Sequence, residues 1–232
     1  MPNAAPALLN DDGSASIATA LMMSHHGFRR DLALFAQALR QVVAADGARL
    51  GALREEWKGL CEKLHGHHQA EDTGIFPHMK AEHPELTAIV DRLTADHHRI
   101  DPMLEAGERA FAQLPETKAA AAAVVAELAD LLDVHLATEE AEVIPHLRPA
   151  KEFPPPANET ELGFYVQGFA WASHGIAPDI LQRLHAMLPA ALTERLPAAR
   201  VAYEARCQQV WGTAKSGASR TPIPDWLTGT GG

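Results

Sequence analysis

Apolar residues recur at alternating steps of four and three along four stretches of the chain. In the first, Leu21, His25, Phe28, Leu32, Phe35, Leu39 and Val42 keep this register. In the second, Leu50, Leu53, Trp57, Leu60, Leu64, His67 and Glu71 keep it. The third runs through Leu86, Val90, Leu93, His97, Ile100 and Leu104, and the fourth through Val124, Leu128, Leu132, His135 and Glu139. Steps of three and four return to one face of an α-helix, so each stretch predicts an amphipathic helix with one buried stripe. The helices are expected at roughly 16–45, 50–74, 84–113 and 117–144. Gly47, Pro84 and Pro115 punctuate connections short enough to make neighbours antiparallel. The fold expected is all-α, an antiparallel four-helix bundle. Pro102 removes a backbone donor inside the third helix and should kink it.

Outside the bundle the pattern weakens. Residues 1–15 read as a loose tail. "RPAKEFPPPAN" places a stiff, extended, Pro-rich linker at 149–158, which bounds the bundle domain at 16–148. A C-terminal helical extension follows over 159–212, read as helices at 159–188 and 190–212. Residues 213–232, rich in Gly, Pro and Thr, read as an irregular tail. The extension carries Tyr165, Tyr203, Trp171 and Trp211, and Trp226 lies in the tail. Its stretch "GFYVQGFAWASHGIAPD" suits covering one end of the bundle, gating a centre or forming a homodimer interface. Plain packing against the bundle is the simplest of these, and His174 reads as structural.

Six polar residues stand in the apolar stripes: His25, His67, Glu71, His97, His135 and Glu139. One histidine on an apolar face is usually a core residue satisfied by a neighbour. Six are different. Burying each neutral group unpaired costs about 2–7 kcal/mol, and a carboxylate costs more. That total exceeds the roughly 5–15 kcal/mol stability of a domain. The six must therefore satisfy one another or share a partner, and a metal centre serves all of them through imidazole and carboxylate lone pairs.

The chain also repeats itself. "HHQAEDTGIFPH" begins at His67 and "HLATEEAEVIPH" at His135, and paired histidines precede each, His25–His26 and His97–His98. The bundle is thus two duplicated helical hairpins. Each supplies one histidine from its first helix and a His-x-x-x-Glu pair, one turn apart on one face, from its second. Four histidines and two carboxylates suit two metal ions side by side. The register points His25, His67, His97 and Glu139 inward, and His26, His68, His98 and Glu140 about 100° away. His26, His65, His68, His78, His83, His98 and His146 are accordingly expected at the surface or behind the ligands. Asp72 and Glu140 are either hydrogen-bond partners of ligand histidines or solvated acids.

On these residues the chain resembles the hemerythrin-like (HHE cation-binding) family over about 16–148. The resemblance rests on His25, on His67-x-x-x-Glu71 followed by "IFP", on His97, and on His135-x-x-x-Glu139 followed by Pro145. It implies a four-helix bundle holding a non-haem di-iron centre, with two iron ions as cofactor. It further implies that His25, His67, His97 and His135 are terminal ligands and that Glu71 and Glu139 bridge the irons. Two departures stand out. Where oxygen-carrying members place a fifth histidine, this chain has Asp101, which is read as a ligand, as an acid behind the ligands, or as outside the site. The carriers' spacing on the last helix would select Glu140, whereas the stripe selects Glu139.

Composition narrows the remaining classes. A net charge of −10 and no basic stripe argue against nucleic acid. Thirteen histidines is a large count for 232 residues. Two distant cysteines, Cys61 and Cys207, make neither a disulfide framework nor a zinc knuckle and fit a cytoplasmic location. No signal peptide opens the chain, and no run of about 18 apolar residues would span a membrane. A ferritin-like site would need Glu-x-x-His on two helices, and only Glu62-x-x-His65, off the stripe, is present. Two classes stay open. One is a carrier, sensor or store that binds O2, peroxide or NO, with Leu21, Phe28, Leu64, Ile100 and Leu132 as apolar walls. The other is a di-iron oxidoreductase, an oxygenase, oxidase or peroxide-decomposing enzyme, with a small-molecule pocket shaped by the C-terminal helices.

Overall fold

The structure, a computed structural model, describes residues 8–212, and the statements below concern those residues. The tail expected at 213–232 lies outside them. Helices run as α1 (Ile17–Gln41), α2 (Gly47–Ala70), α3 (Phe76–Glu82), α4 (Thr87–Ala112), α5 (Lys118–Glu142), α6 (Ile144–Leu147), α7 (Glu159–Ala172), α8 (Pro178–His185) and α9 (Ala190–Trp211). The fold is all-α, a helical bundle, as the stripes predict, followed by extra C-terminal helices. No helix among the described residues is long and apolar enough to cross a membrane.

Contacts divide the chain into two compact units. Of the described residues, one holds 8–27 together with 140–205, and the other holds Phe28–Glu139 together with 206–212. The boundaries therefore fall inside α1, α5 and α9 and not at the Pro-rich segment 149–158. A linker chosen by composition marks where backbone is irregular, which differs from where contacts are sparse.

The second unit contains the bundle: α1 from Phe28, then α2, α4, and α5 to Glu139. Asp46 opens α2 by accepting from the Arg49 amide at 3.1 Å, satisfying one of the amides a helix start leaves unpaired. Most positions of the predicted stripes are buried, with Phe28, Phe35, Leu53, Trp57, Leu60, Leu64, Leu93, Ile100, Leu128 and Leu132 all 3 % exposed or less, but Val124 is half-buried and Val125 takes the core place on α5. Trp57 stacks on Phe111 at 4.5 Å and meets the edge of Phe35 at 5.4 Å. Gly107 makes that packing possible, because a Cβ there would stand 2.1 Å from Trp57 Cζ2. The end of α9 belongs to the same core. Trp211 lies edge-on to Phe35 at 4.9 Å, and Arg49 donates to the Val210 and Trp211 carbonyls.

α2 does not simply stop at Ala70. It passes into one wider π-helical turn, Glu71–Ile75, closed by the Phe76 amide on the Glu71 carbonyl. Pro77 explains the widening: it has no amide to offer the Thr73 carbonyl, and its ring would clash there. α4, in contrast, runs unbroken from Thr87 to Ala112 with Pro102 inside. Pro102 and His98 both face solvent, where water can take the carbonyl that proline leaves unbonded.

The first unit is described by itself. Residues 8–15 are held, contrary to the expected loose tail: Thr19 Oγ1 donates to the Leu8 carbonyl at 2.7 Å and Asn10 Nδ2 to the Arg148 carbonyl at 3.0 Å. Residues 149–157 form no helix, and Phe153 sets its ring edge-on to Tyr165 and Phe169 at 5.2 Å. The single helix expected over 159–188 is broken into α7 and α8. Gly175 adopts φ +86°, a left-handed conformation open to glycine, and Pro178 starts α8.

Candidate metal centre

In the bundle unit, α2 and its π turn bring His67, His68 and Glu71, α4 brings His97, and α5 brings His135 and Glu139. Glu71 and Glu139 are 0 % exposed, His135 1 %, His97 3 % and His68 5 %. Donor atoms of His68, Glu71, His97 and His135 all lie within 4.8 Å of one another, and so do those of His67, Glu71 and Glu139. Glu71 is common to both sets. Its Oε1 stands 2.8 Å from His67 Nε2 and its Oε2 3.4 Å from His97 Nε2, so one carboxylate faces a histidine of each set.

Neighbouring acids orient the imidazoles. Nδ1–H of His97 donates to Asp72 Oδ2 at 3.0 Å, and Asp72 in turn accepts from Thr94 Oγ1 at 3.3 Å. A proton on Nδ1 leaves the lone pair on Nε2, the nitrogen that faces Glu71. Asp96 Oδ2 is 3.9 Å from His135 Nδ1. Rings pack these groups: His68 stacks on His97 at 3.9 Å, Phe76 stacks on the same imidazole at 5.7 Å, and Phe28 meets His67 edge-on at 5.2 Å. In the other unit, His25 on α1 is wholly buried, and its Nδ1–H donates to Glu140 Oε1 at 3.0 Å. Of the two readings left open for Asp72 and Glu140, both acids take the hydrogen-bonding one.

One expectation changes and two are narrowed. His68, read as pointing outward, is buried with neither ring nitrogen hydrogen-bonded, although it stands in the first ligand set. The reason is angular. A helix advances about 100° per residue, so Trp57, Leu60, Leu64 and Glu71 centre a stripe that His67 and His68 flank from opposite sides. A strict alternation of four and three follows a 3.5-residue period and drifts from the real helix by about 20° per heptad. The four-residue run Leu60, Leu64, His68 was the available signal. His26, expected at the surface or behind the ligands, is not at the surface: it is 0 % exposed, with Nε2–H donating to the His174 carbonyl at 3.1 Å. For Asp101, of the three readings left open, the geometry favours the one outside the site. Its side chain is 51 % exposed, 3.2 Å from the equally exposed His65, and belongs to neither ligand set. Asp101→Ala is therefore expected to leave metal content at the wild-type value on elemental analysis, and a loss of half or more would return Asp101 to the site.

Burial, reinforced by His97 alongside, pushes the His68 pKa far below the ordinary imidazole range. Burial likewise lowers that of His97, against the opposing hydrogen bond from Asp72. Both imidazoles are neutral at pH 7 and hold a lone pair ready for a Lewis acid.

Such a fold and site define a helical-bundle protein with a buried, cation-binding His/Glu cluster. The hemerythrin HHE cation binding domain matches residues 16–147, more than half of the chain, and the protein belongs to that family. No curated protein and no solved structure matches the chain.

Proposed function

We propose that the protein is a non-haem di-iron protein that binds or reacts with O2, peroxide or NO. The observation that carries this reading is Glu71, whose two oxygens face one histidine from each of two ligand sets, the arrangement a carboxylate takes when it bridges two ions. The donors fit iron in kind, because imidazole and carboxylate together suit it and neither ligand set contains a cysteine. His68 adds its own support. A buried imidazole with both nitrogens unbonded is costly, and a metal ion relieves it. His68, Glu71, His97 and His135 would hold one ion. His67, Glu71 and Glu139 would hold the other, to which the apolar stripe of α1 and the family resemblance add His25.

Iron, when bound, would supply one-electron redox chemistry and open positions for a small ligand. The chain's own groups do the rest. Asp72 and Glu140 keep protons on Nδ1 of His97 and His25 and so leave the lone pair on Nε2 of each ring. Phe28, Leu64, Ile100 and Leu132, each 1 % exposed or less, keep water from the flanks. His68 also bears on the choice between classes. It brings the first set to three imidazoles with Asp101 in neither set, and histidine-rich ligation favours reversible binding over chemical use of the ligand.

The test is the visible absorption of the reduced, iron-loaded protein after a pulse of O2. A new absorption that disappears on degassing, and returns with fresh O2, is expected. A spectrum that moves once and stays would mean that the oxygen is consumed, and the oxidoreductase reading would replace this one. A chain that takes up no iron would remove both.

A further inference from the structure

The family match ends at residue 147, yet the chain continues into α7, α8 and α9. Three consecutive residues of α1 are held from outside that helix, and two of the three holds come from this added segment. His25 is tied to Glu140 through Nδ1. His26, one residue on, donates from Nε2 to the His174 carbonyl, just beyond α7. Gly27 lies under Trp171 of α7: a Cβ there would stand 2.5 Å from Trp171 Cζ2 and 2.6 Å from Cη2.

These contacts depend on specific residues. Only glycine lets an indole approach a helix backbone so closely. Gly175, at φ +86°, makes the turn that brings the His174 carbonyl onto His26, and its own Cβ position is 3.6 Å from His26 Nε2. Trp171 is 2 % exposed, and Tyr203 of α9 backs the His174 ring edge-on at 5.4 Å. A helix with an indole seated on its backbone and a side chain tied one residue away has little freedom to rotate or slide.

We propose that the C-terminal extension is a positioning element for the metal centre: α7 and the turn after it set α1 at His26 and Gly27, and thereby the reach of the adjacent ligand His25. The inference rests on the proposed function, in which the place of His25 in the α1 stripe and the family resemblance make it a ligand of the centre. Trp171 and His26 touch no metal; they act through the backbone of α1. The consequence is asymmetric. Disturbing the extension should affect the ion His25 serves and spare the ion held by His68, His97 and His135.

The experiment is iron release to a ferrous chelator from the full chain, loaded and kept anaerobic, comparing wild type with Gly27→Ala, Trp171→Phe and the double variant. Each single variant is expected to release one iron per chain about ten- to a hundred-fold faster, the range typical when a group supporting a ligand is lost, with the other at the wild-type rate. The double variant should return towards wild type, because the alanine methyl enters the space the six-membered part of the indole leaves. Far-ultraviolet circular dichroism checks that each variant is folded. Single variants with wild-type release of both irons overturn the proposal, as does equal acceleration of both. Should Gly27→Ala not fold, Trp171→Phe alone decides by the same criterion. A wild-type chain that holds no iron overturns the di-iron reading, and this inference with it.

Discussion

Glu71→Ala is expected to reduce iron from about two ions per chain to near zero, whereas His68→Leu should lose about one. Glu71 stands in both ligand sets and His68 in one, and that difference sets the two outcomes. His98→Ala, one residue from His97 but facing solvent, should keep the full complement. Elemental analysis after anaerobic loading and desalting reads all three. Stability gives an independent check with the opposite sign. Without metal, wild-type His68 carries two buried nitrogens that make no hydrogen bond. Each such orphan costs about 1–3 kcal/mol, and leucine fills similar space without that cost. Metal-free His68→Leu should therefore melt at or above the metal-free wild type while binding less iron. A substitution that raises stability and lowers metal binding marks a residue kept for the ion. If His68→Leu keeps both irons, the first ligand set is wrongly drawn.

The largest effect on stability is expected from the aromatic core. Trp57→Ala should cost about 3–5 kcal/mol, the usual cost of deleting a buried tryptophan. Gly107→Ala should also destabilise, by about 1–3 kcal/mol, although alanine is the better helix former by about 1 kcal/mol. Sterics win here because the indole cannot retreat: Phe111 stacks on it and Phe35 closes its edge, while the new methyl would sit 2.1 Å from its ring. Gly51→Ala is the control. A Cβ there meets nothing within 4 Å, so the same substitution in α2 should stabilise by about 0.5–1 kcal/mol. At this size each kcal/mol shifts Tm by about 2–4 °C. Thermal melts of the metal-free proteins should thus move in opposite directions for the two glycines. A Gly107→Ala protein as stable as wild type would show that the Trp57 pocket has slack.

Much of this protein is legible along the chain. The apolar periodicity locates the four bundle helices to within a few residues, because a stripe that must be buried repeats with the helix turn whatever it packs against. The same stripes reveal buried polar residues at Glu71, His97, His135 and Glu139, since a polar residue at an apolar position advertises its own cost. The internal repeat shows that they come in matched pairs. What one helix faces is not written in its own period. His67 and His68 straddle the stripe of α2, and only the neighbouring helices settle that His68 stacks on His97. Asp101 has the spacing of a ligand, and its place opposite His65 at the surface follows from how α2 and α4 meet. The hold of Trp171 on Gly27 joins residues 144 positions apart, and no local pattern encodes it. Periodicity is a property of one helix and survives in sequence; partners and distances belong to pairs of helices, and tertiary packing alone decides them.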